Sequence, residues 1–378
     1  MSDGPPPNRE MLVLARQSRG LTQTELAQRL GISQAQVSKV ENGLDAPDAS
    51  MVERYAAALD YRPSFFFQKG ALLGLPPYHH RKRAKLGAKR LDAVHAELNI
   101  RRMQIKTLVR SAELDTPKAL PSLDLEAFDG DSAEAARVVR EHWLLPRGPL
   151  KDVTRAVENA GVLVLACDFG TDLLDGLSLR VEGLPPMIFL RAGMPGDRYR
   201  FTLAHELGHL VLHWYSPGPD DQMEREAHRF AGAFLMPSHD ILPYLSGLSL
   251  SKLMMLKQVW GVSMQAILYR SKDLGAVGEK QYESLWRQIS RAGYRRSEPI
   301  DVPCERPTLL TEIVEMHLDD LGYAIEDVSR LLHLNVAEFV TLFLGGSSRI
   351  RALPSRTDGS AVAPARGRPW HRAGGAGG

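Results

Sequence analysis

Two histidines and a glutamate stand close together near the middle of the chain, in the run HELGH: His205, Glu206 and His209. The apolar residues around them predict a helix over residues 198–214. Residues four apart lie on one face of a helix, so the two imidazoles can converge on a single ion, and neutral imidazole is a good zinc ligand. Glu206 is displaced around the helix. It can therefore miss the metal and still reach a water beside it, the position that a general base needs.

A zinc site needs a third protein ligand. His213 continues the four-residue spacing, but the helix rise places it about 12 Å along the axis from His205, so we interpret it as a packing or supporting residue. On the next predicted helix, Glu224 projects from the apolar face, whereas Glu226 points away from it. A carboxylate on a buried face needs a partner, and zinc is the natural one. A solvated glutamate beside Arg225 is the alternative, and it fits Glu226 better.

These residues resemble a known family. The runs RFTLAHELGHLVLH and EREAHRFAGAFLMP closely resemble the ImmA/IrrE-type metallopeptidases, over about residues 161–237. The resemblance implies a zincin-like domain with zinc as its cofactor, His205, His209 and Glu224 as ligands, and Glu206 as the catalytic base. Members of this family cleave a DNA-binding repressor. The resemblance therefore also implies a protein substrate, namely a helix-turn-helix repressor.

One position departs from the family pattern. His228 stands where the family more often has asparagine, so it could hydrogen-bond to Glu224 or His209, or act as a rival ligand. The residues do not identify a donor for the transition state. Tyr199, His213 and His228 are the candidates.

A second strong pattern lies near the N-terminus. Thr22 reads as a helix N-cap with Glu25 three residues later, the signature of a capping box. Gly31 then makes a sharp turn, and Ser33 caps the next predicted helix, Gln34–Glu41. This is the layout of a helix-turn-helix. A helical hairpin kept only for packing is the alternative.

The run LTQTELAQRLGISQAQVSKVENG resembles the phage-repressor-like (XRE-type) DNA-binding domains throughout. The resemblance implies that the second helix is the recognition helix. Gln34 and Lys39 would face base edges, because glutamine can bond adenine and lysine can reach guanine acceptors. Gln23, Arg29 and Asn42 would hold phosphates and set the register.

The charge of this predicted domain limits its affinity for DNA. Residues 1–70 hold eight lysines or arginines and eight aspartates or glutamates, and DNA affinity depends heavily on phosphate neutralisation. A homodimer on DNA would double the contacts. The basic run HHRKRAK at residues 79–85 could add charge. A helix predicted over residues 88–112 would join two domains with one face packed and the other positive, a solvated connector being the alternative.

Helices alternate with strands in the middle of the chain. The patterns predict helices over residues 131–143 and 150–160 and strands over residues 162–167, 175–182 and 187–191. We expect a small antiparallel sheet that leads into the HELGH helix. Residues 187–190 are the candidate edge strand for pairing with a substrate, and a fully paired core strand is the alternative.

The fold class that follows is α+β, mostly α. We expect five parts: a helix-turn-helix domain (1–70), a basic connector helix and linker (71–130), an ImmA/IrrE-like metallopeptidase domain (131–245), a helical C-terminal domain (246–345) and a disordered tail (346–378). The C-terminal part contains two further helix-turn-helix rhythms, which we interpret as packing or interaction modules.

Composition and cysteine usage fit an ordinary folded protein. The 378 residues are 44% hydrophobic and 24% charged, with a formal net charge of +2. The two cysteines, Cys167 and Cys304, form no C-x-x-C arrangement, which suits a reducing cytoplasm. No apolar run reaches transmembrane length, so we expect a cytoplasmic protein without a membrane partner.

The leading hypothesis is a DNA-binding, zinc-dependent endopeptidase and transcriptional regulator that cleaves a repressor-like protein. The alternative is a non-catalytic transcriptional regulator whose metal domain senses a signal or binds a partner.

Overall fold

Helices dominate the computed structural model, which describes residues 5–69, 72–74, 86–112, 114, 116, 118–214 and 218–345. Within these residues one three-stranded sheet lies among the helices, so the α+β, mostly α class is confirmed. The basic run at residues 79–85 and the predicted tail at 346–378 lie outside the described residues. None of the described helices combines the length and the apolar character that a bilayer crossing needs.

Four helices and a short 3-10 turn form the N-terminal part: α1 (Arg9–Ser18), α2 (Gln23–Leu30), α3 (Gln34–Glu41), α4 (Ala49–Leu59) and the turn Pro63–Phe67. The capping signals predicted from the sequence are present. The Thr22 hydroxyl accepts from the backbone N–H of Glu25, whose carboxylate accepts in return from the N–H of Thr22. Gly31 has a left-handed φ of 62°, and Ser33 caps α3. The predicted helix-turn-helix geometry is therefore confirmed.

The connector helix, α5 (Ala88–Leu108), is buried on two sides. Its Ala96 and Ile100 pack in the N-terminal core, whereas Val94, Leu98, Ile105 and Leu108 pack in a second core with the sheet. The prediction of one packed face and one positive face is wrong at Arg101 and Arg102, which are both buried. Arg101 pairs with Glu97 at 2.7 Å. A helix between two cores needs two apolar faces, which leaves little surface for a positive one.

The sheet is mixed, with the order β1-β3-β2. Its strands are β1 (Leu163–Cys167), β2 (Gly176–Leu179) and β3 (Met187–Arg191). β3 pairs in parallel with β1 and antiparallel with β2, so the prediction of a purely antiparallel sheet is wrong. β3 is the central strand, and residues 187–190 are therefore not an edge. A strand buried on both faces reads as a continuous apolar run, as MIFL does.

Two long helices follow the sheet: α8 (Gly196–Leu212), which contains HELGH, and α9 (Asp220–Leu235). Before the sheet, α6 (Ser132–His142) and α7 (Val153–Glu158) agree with the predicted helices, although α7 is shorter than expected. Trp143, Phe234 and residues of α8 belong to one apolar core. This core fixes the relative position of the helices that carry the candidate site.

Helices continue to the end of the described chain: α10 (Ser238–Leu245), α11 (Leu250–Trp260), α12 (Met264–Asp273), α13 (Glu279–Arg291), α14 (Leu309–Glu315), α15 (Ile325–Leu331) and α16 (Val336–Phe339), with π-helical turns at Met316–Asp320 and Val340–Leu344. The core around α8 extends through α11, α12 and α13, as Leu253, Ile267 and Ile289 show. The predicted division at residue 245 stays a prediction.

Candidate metal centre

A close approach between α8 and α9 builds the candidate site. A Cβ on Gly208 would lie 3.1 Å from Cδ1 of Phe230 and 3.2 Å from Cα of Ala227, so only glycine lets α9 come this near without a shift. Glu224 stands one turn before Ala227 on α9. The short separation therefore brings its carboxylate within reach of the two histidines on α8.

Three side chains converge where the sequence predicted a metal site. The Nε2 atoms of His205 and His209 lie 3.2 Å apart. Oε2 of Glu224 lies 3.6 Å from Nε2 of His205, and Oε1 of Glu224 lies 3.4 Å from Nε2 of His209. Ligand atoms at about 2.0–2.1 Å from a tetrahedral zinc ion stand about 3.3–3.5 Å from one another. The residues thus fit zinc in number and chemistry, and the shortest distances between their ligand atoms are close to those around one zinc ion. Among the described residues they are the one such group.

Behind this group lies a chain of hydrogen-bonding side chains. His209 Nδ1 is 3.0 Å from Nδ1 of His213, and Nε2 of His213 is 3.0 Å from Oε2 of Glu226. Burial lowers the pKa of His213 although Glu226 opposes that effect. The interpretation of Glu226 as a solvated side chain is wrong: it also accepts from Nε2 of Gln222 at 2.8 Å, and its side chain is 17% exposed. The helical position alone did not reveal that His213 reaches it.

Glu206 faces the sheet rather than solvent. Its Oε2 accepts a hydrogen bond from the hydroxyl of Ser178 in β2 at 2.8 Å, and the residue is 1% exposed. A Cβ on Gly176 would lie 3.1 Å from Glu206 Oε1. Glycine at the start of β2 therefore leaves room for the carboxylate beside the candidate ligands. Neither Ser178 nor Gly176 can be recognised from the sequence as part of the site, because their contacts with α8 are long-range.

A cavity of about 1140 Å³ opens in front of this group and is lined by His205, Glu206 and Glu224. It is large enough for several residues of an extended polypeptide, since sites for small ligands commonly span about 300–1,000 Å³. Charged side chains lie along one part of its wall. Asp175 there pairs with Arg191 and Arg198.

The three candidates for a hydrogen-bond donor to the transition state occupy different surroundings. Tyr199 is buried and accepts a hydrogen bond from the Thr154 hydroxyl at 3.3 Å; burial raises its pKa. His213 lies behind the ligands. His228 lines the cavity, with its ring between those of Phe201 and Tyr269 at centroid distances of 4.9 and 4.7 Å. It is not a member of the candidate metal group.

The residues predicted to contact DNA lie on α2, on α3 and at the C-cap of α3. Gln34, Lys39, Arg29 and Asn42 are exposed, and Gln23 is half-buried. The Gln34 amide donates to the side-chain oxygen of Gln23 at 2.8 Å. Their contacts with DNA remain predictions.

The buried ion pair of Arg16 and Glu41 lies behind Gln23 and Gln34. Gln23 in turn donates to Glu41 at 2.9 Å, and Glu41 is held by Arg16 through a buried ion pair at 2.6 Å. The side chains of Gln34 and Gln23 are therefore oriented by the fixed carboxylate of Glu41. Each of the two amides donates a hydrogen bond to the next side chain in this row.

Two parts of the chain match models of known families. Residues 12–66 match the helix-turn-helix model, and residues 157–272 match a peptidase family described as the IrrE N-terminal-like domain. The chain joins an XRE-type head to an IrrE-like domain. The predicted family resemblances and their order are confirmed, and the protein is a DNA-binding regulator with a metallopeptidase-like domain. The IrrE-like match includes all residues of the candidate metal group. No curated protein matches the chain.

Proposed function

We propose that the IrrE-like domain is a zinc endopeptidase that cleaves a protein substrate. The observation that carries this proposal is the convergence of His205, His209 and Glu224, with Glu206 next to them at the wall of an open cavity. The donor set, two imidazoles and one carboxylate, is that of catalytic zinc sites, which keep a position open.

Each residue then has a role in peptide hydrolysis. Zinc, when bound, supplies Lewis-acid chemistry that polarises the scissile carbonyl and lowers the pKa of water. Glu206 takes a proton from the attacking water and passes it to the leaving amine. Ser178 orients Glu206 through the hydrogen bond to Oε2. His213 and Glu226 hold the ring of His209 in one orientation, so that its Nε2 faces the ligand group.

The substrate main chain would pair with β2 rather than with β3. β2 is at one end of the strand order, and its Gly176 and Ser178 both approach Glu206. An extended peptide added to that edge would run past the carboxylate. A repressor-like protein is the proposed substrate, and the XRE-type head would bring the enzyme to the DNA where such a repressor sits.

The XRE-type head would read its operator with the exposed face of α3. Gln34→Ala and Lys39→Ala should each relax the base preference at one position, whereas Arg29→Ala and Asn42→Ala should weaken binding to all sequences. Binding as a homodimer would compensate for the neutral charge of a single head, and its signature is an operator with two half-sites about one helical turn apart.

The test is cleavage of a helix-turn-helix protein encoded beside this gene. Wild-type protein with one zinc per chain should cut it, and Glu206→Gln should not cut it while zinc content and operator binding stay unchanged. Cleavage that persists in Glu206→Gln would contradict the mechanism. Zinc binding without any cleavage by the wild type would favour the non-catalytic regulator.

A further inference from the structure

A segment beyond the IrrE-like match passes beside the candidate metal centre. We call residues 297–304 the strap. Near its start, Glu298 accepts from Nζ of Lys257 at 2.8 Å, and the same Nζ donates to Oδ2 of Asp197 at 2.7 Å. Their side chains are 6%, 3% and 10% exposed. Because Asp197 stands in the first turn of α8, this triad fastens the strap to the helix that carries the histidines.

Lys257 keeps its positive charge between the two carboxylates. Burial alone would lower the pKa of Lys257, but the hydrogen bonds to Asp197 and Glu298 outweigh burial, and the net effect is a raised pKa. Glu298 also accepts from the backbone N–H groups of Met264 at 2.9 Å and Gln265 at 3.3 Å. These bonds fix the start of the strap on the first turn of α12.

Glu305, directly after the strap, fixes the other end. Its carboxylate accepts from the backbone N–H groups of Val153 at 3.0 Å and Thr154 at 2.7 Å. It also pairs with Arg200 of α8, and both side chains are less than a tenth exposed. Both ends of the strap are therefore anchored, directly or through Lys257, to α8.

Between its anchors the strap lies against the first turn of α8. A Cβ on Gly196 would be 2.2 Å from the carbonyl oxygen of Val302 and 2.5 Å from that of Pro303, so the two backbones are in direct contact. Ile300 and Val302 line the cavity that contains His205 and Glu206. The strap is thus a fixed wall of the substrate cavity.

Aromatic side chains line the same cavity. They come from α12, α13 and the turn after α13: Tyr269, Trp286 and Tyr294. Tyr269 is 51% exposed, although it is a large side chain on a helix that packs in the core. The guanidinium of Arg295 lies 5.4 Å from the centre of the Trp286 ring. Ligand cavities are lined mainly by apolar and aromatic groups with a few polar ones, and exposed aromatic side chains within a cavity indicate a ligand surface.

We propose that the strap and these aromatic residues form a specificity subsite for a bulky apolar side chain of the peptide substrate. This inference rests on the proposed peptidase function and names the substrate feature that the cavity selects. Ile300 and Val302 supply the aliphatic part of the subsite, and Tyr269, Trp286 and Tyr294 supply its aromatic part. The two buried anchors keep the aliphatic part at a fixed position relative to the metal ligands.

The test measures binding without turnover, in the full chain with Glu206→Gln. The probes are two fluorescein-labelled decapeptides of glycine and serine, one with a central phenylalanine and one with serine at that position. Fluorescence anisotropy should give binding of the phenylalanine peptide on the order of tenfold tighter, because one large apolar side chain leaves water. Adding Tyr269→Ala or Ile300→Ser should remove most of this preference with zinc content unchanged.

Tyr244→Ala is the matched control, because Tyr244 is 55% exposed and does not line the cavity. It should keep the full preference. Equal affinity for the two peptides, no binding of either up to about 1 mM, or the same loss in the control would overturn the subsite. The peptidase proposal fails separately: a preference for phenylalanine in a protein that cleaves nothing would retain the subsite and exclude the enzyme.

Discussion

The Nδ1 atom of His213 lies 3.0 Å from Nδ1 of His209, and Oε2 of Glu226 lies 3.0 Å from Nε2 of His213. A candidate zinc ligand is thus held by a second histidine, which is held in turn by a carboxylate. His213→Ala should weaken zinc affinity by about 10–100-fold, the usual cost of removing a residue that orients a ligand. Chelator competition measures this. His142→Ala, an exposed histidine, is the control, and an equal loss there would contradict the role of His213.

The spacing between α8 and α9 gives a prediction with an unusual sign. Replacing a helical glycine with alanine stabilises a helix by about 1 kcal/mol. Gly208→Ala should instead destabilise the protein by about 1–3 kcal/mol through overpacking, since its Cβ would meet Ala227 and Phe230 at 3.2 and 3.1 Å. It should also weaken zinc binding, because α9 carries Glu224.

Gly232→Ala is the matched control for that substitution. Like Gly208 of α8, Gly232 of α9 is a buried helical glycine, but a Cβ on Gly232 would lie 3.7 Å from Cδ of Arg270, an ordinary contact. In urea denaturation, Gly232→Ala should raise the free energy of unfolding by up to about 1 kcal/mol. If Gly208→Ala were as stable as Gly232→Ala and bound zinc normally, the two helices would not need the glycine.

The buried pair between Arg200 and Glu305 predicts a large effect on folding. Glu305→Ala should lower the free energy of unfolding by about 3–5 kcal/mol, because it leaves a buried guanidinium without its carboxylate. Glu312→Ala removes a comparable partner from Arg155, but both of those side chains are about half exposed. The cost there should stay below about 1 kcal/mol. Similar losses in the two variants would mean that the strap anchor is not a buried pair.

The capping box of α2 predicts a pH dependence. Hydrogen bonds from the backbone of Thr22 and from the side chain of Lys89 lower the pKa of Glu25 to about 2, against an ordinary 4.5. A lowered carboxyl pKa means that the contribution to stability is complete above pH 4.5 and is lost as the pH falls through about 2. Carbon-13 NMR of labelled glutamate should find Glu25 still ionised at pH 3, and Lys89→Ala should shift its midpoint upward. A titration midpoint of 4.5 for Glu25 would exclude the capping box of α2.

Local patterns were sufficient to predict the helices of the head and to place the two candidate ligands on α8 on one helix face. Thr22, Glu25, Gly31 and Ser33 act within one turn of their own helix, so their roles can be predicted from sequence. The spacing of His205 and His209 is likewise a property of one helix.

Long-range packing decided what the patterns missed. Strand order depends on which strand is covered on both sides, and the apolar run of β3 indicates a buried strand without giving its neighbours. Arg101 and Arg102 are buried because α5 lies between two cores, which no single periodicity reveals. Glu226 lies off the apolar face of α9, yet it is partly covered because His213 of α8 reaches across to it.

We expect one zinc ion to be held by His205, His209 and Glu224 beside Glu206. X-ray absorption at the zinc edge of the purified protein, compared with Glu224→Ala, tests it most directly. The spectra should show one zinc per chain with two imidazole nitrogens at about 2.0–2.1 Å and oxygen ligands at about 2.0–2.2 Å, and Glu224→Ala should lose most of the zinc. Sulfur ligands, or zinc retained at full affinity with unchanged spectra in Glu224→Ala, would contradict it.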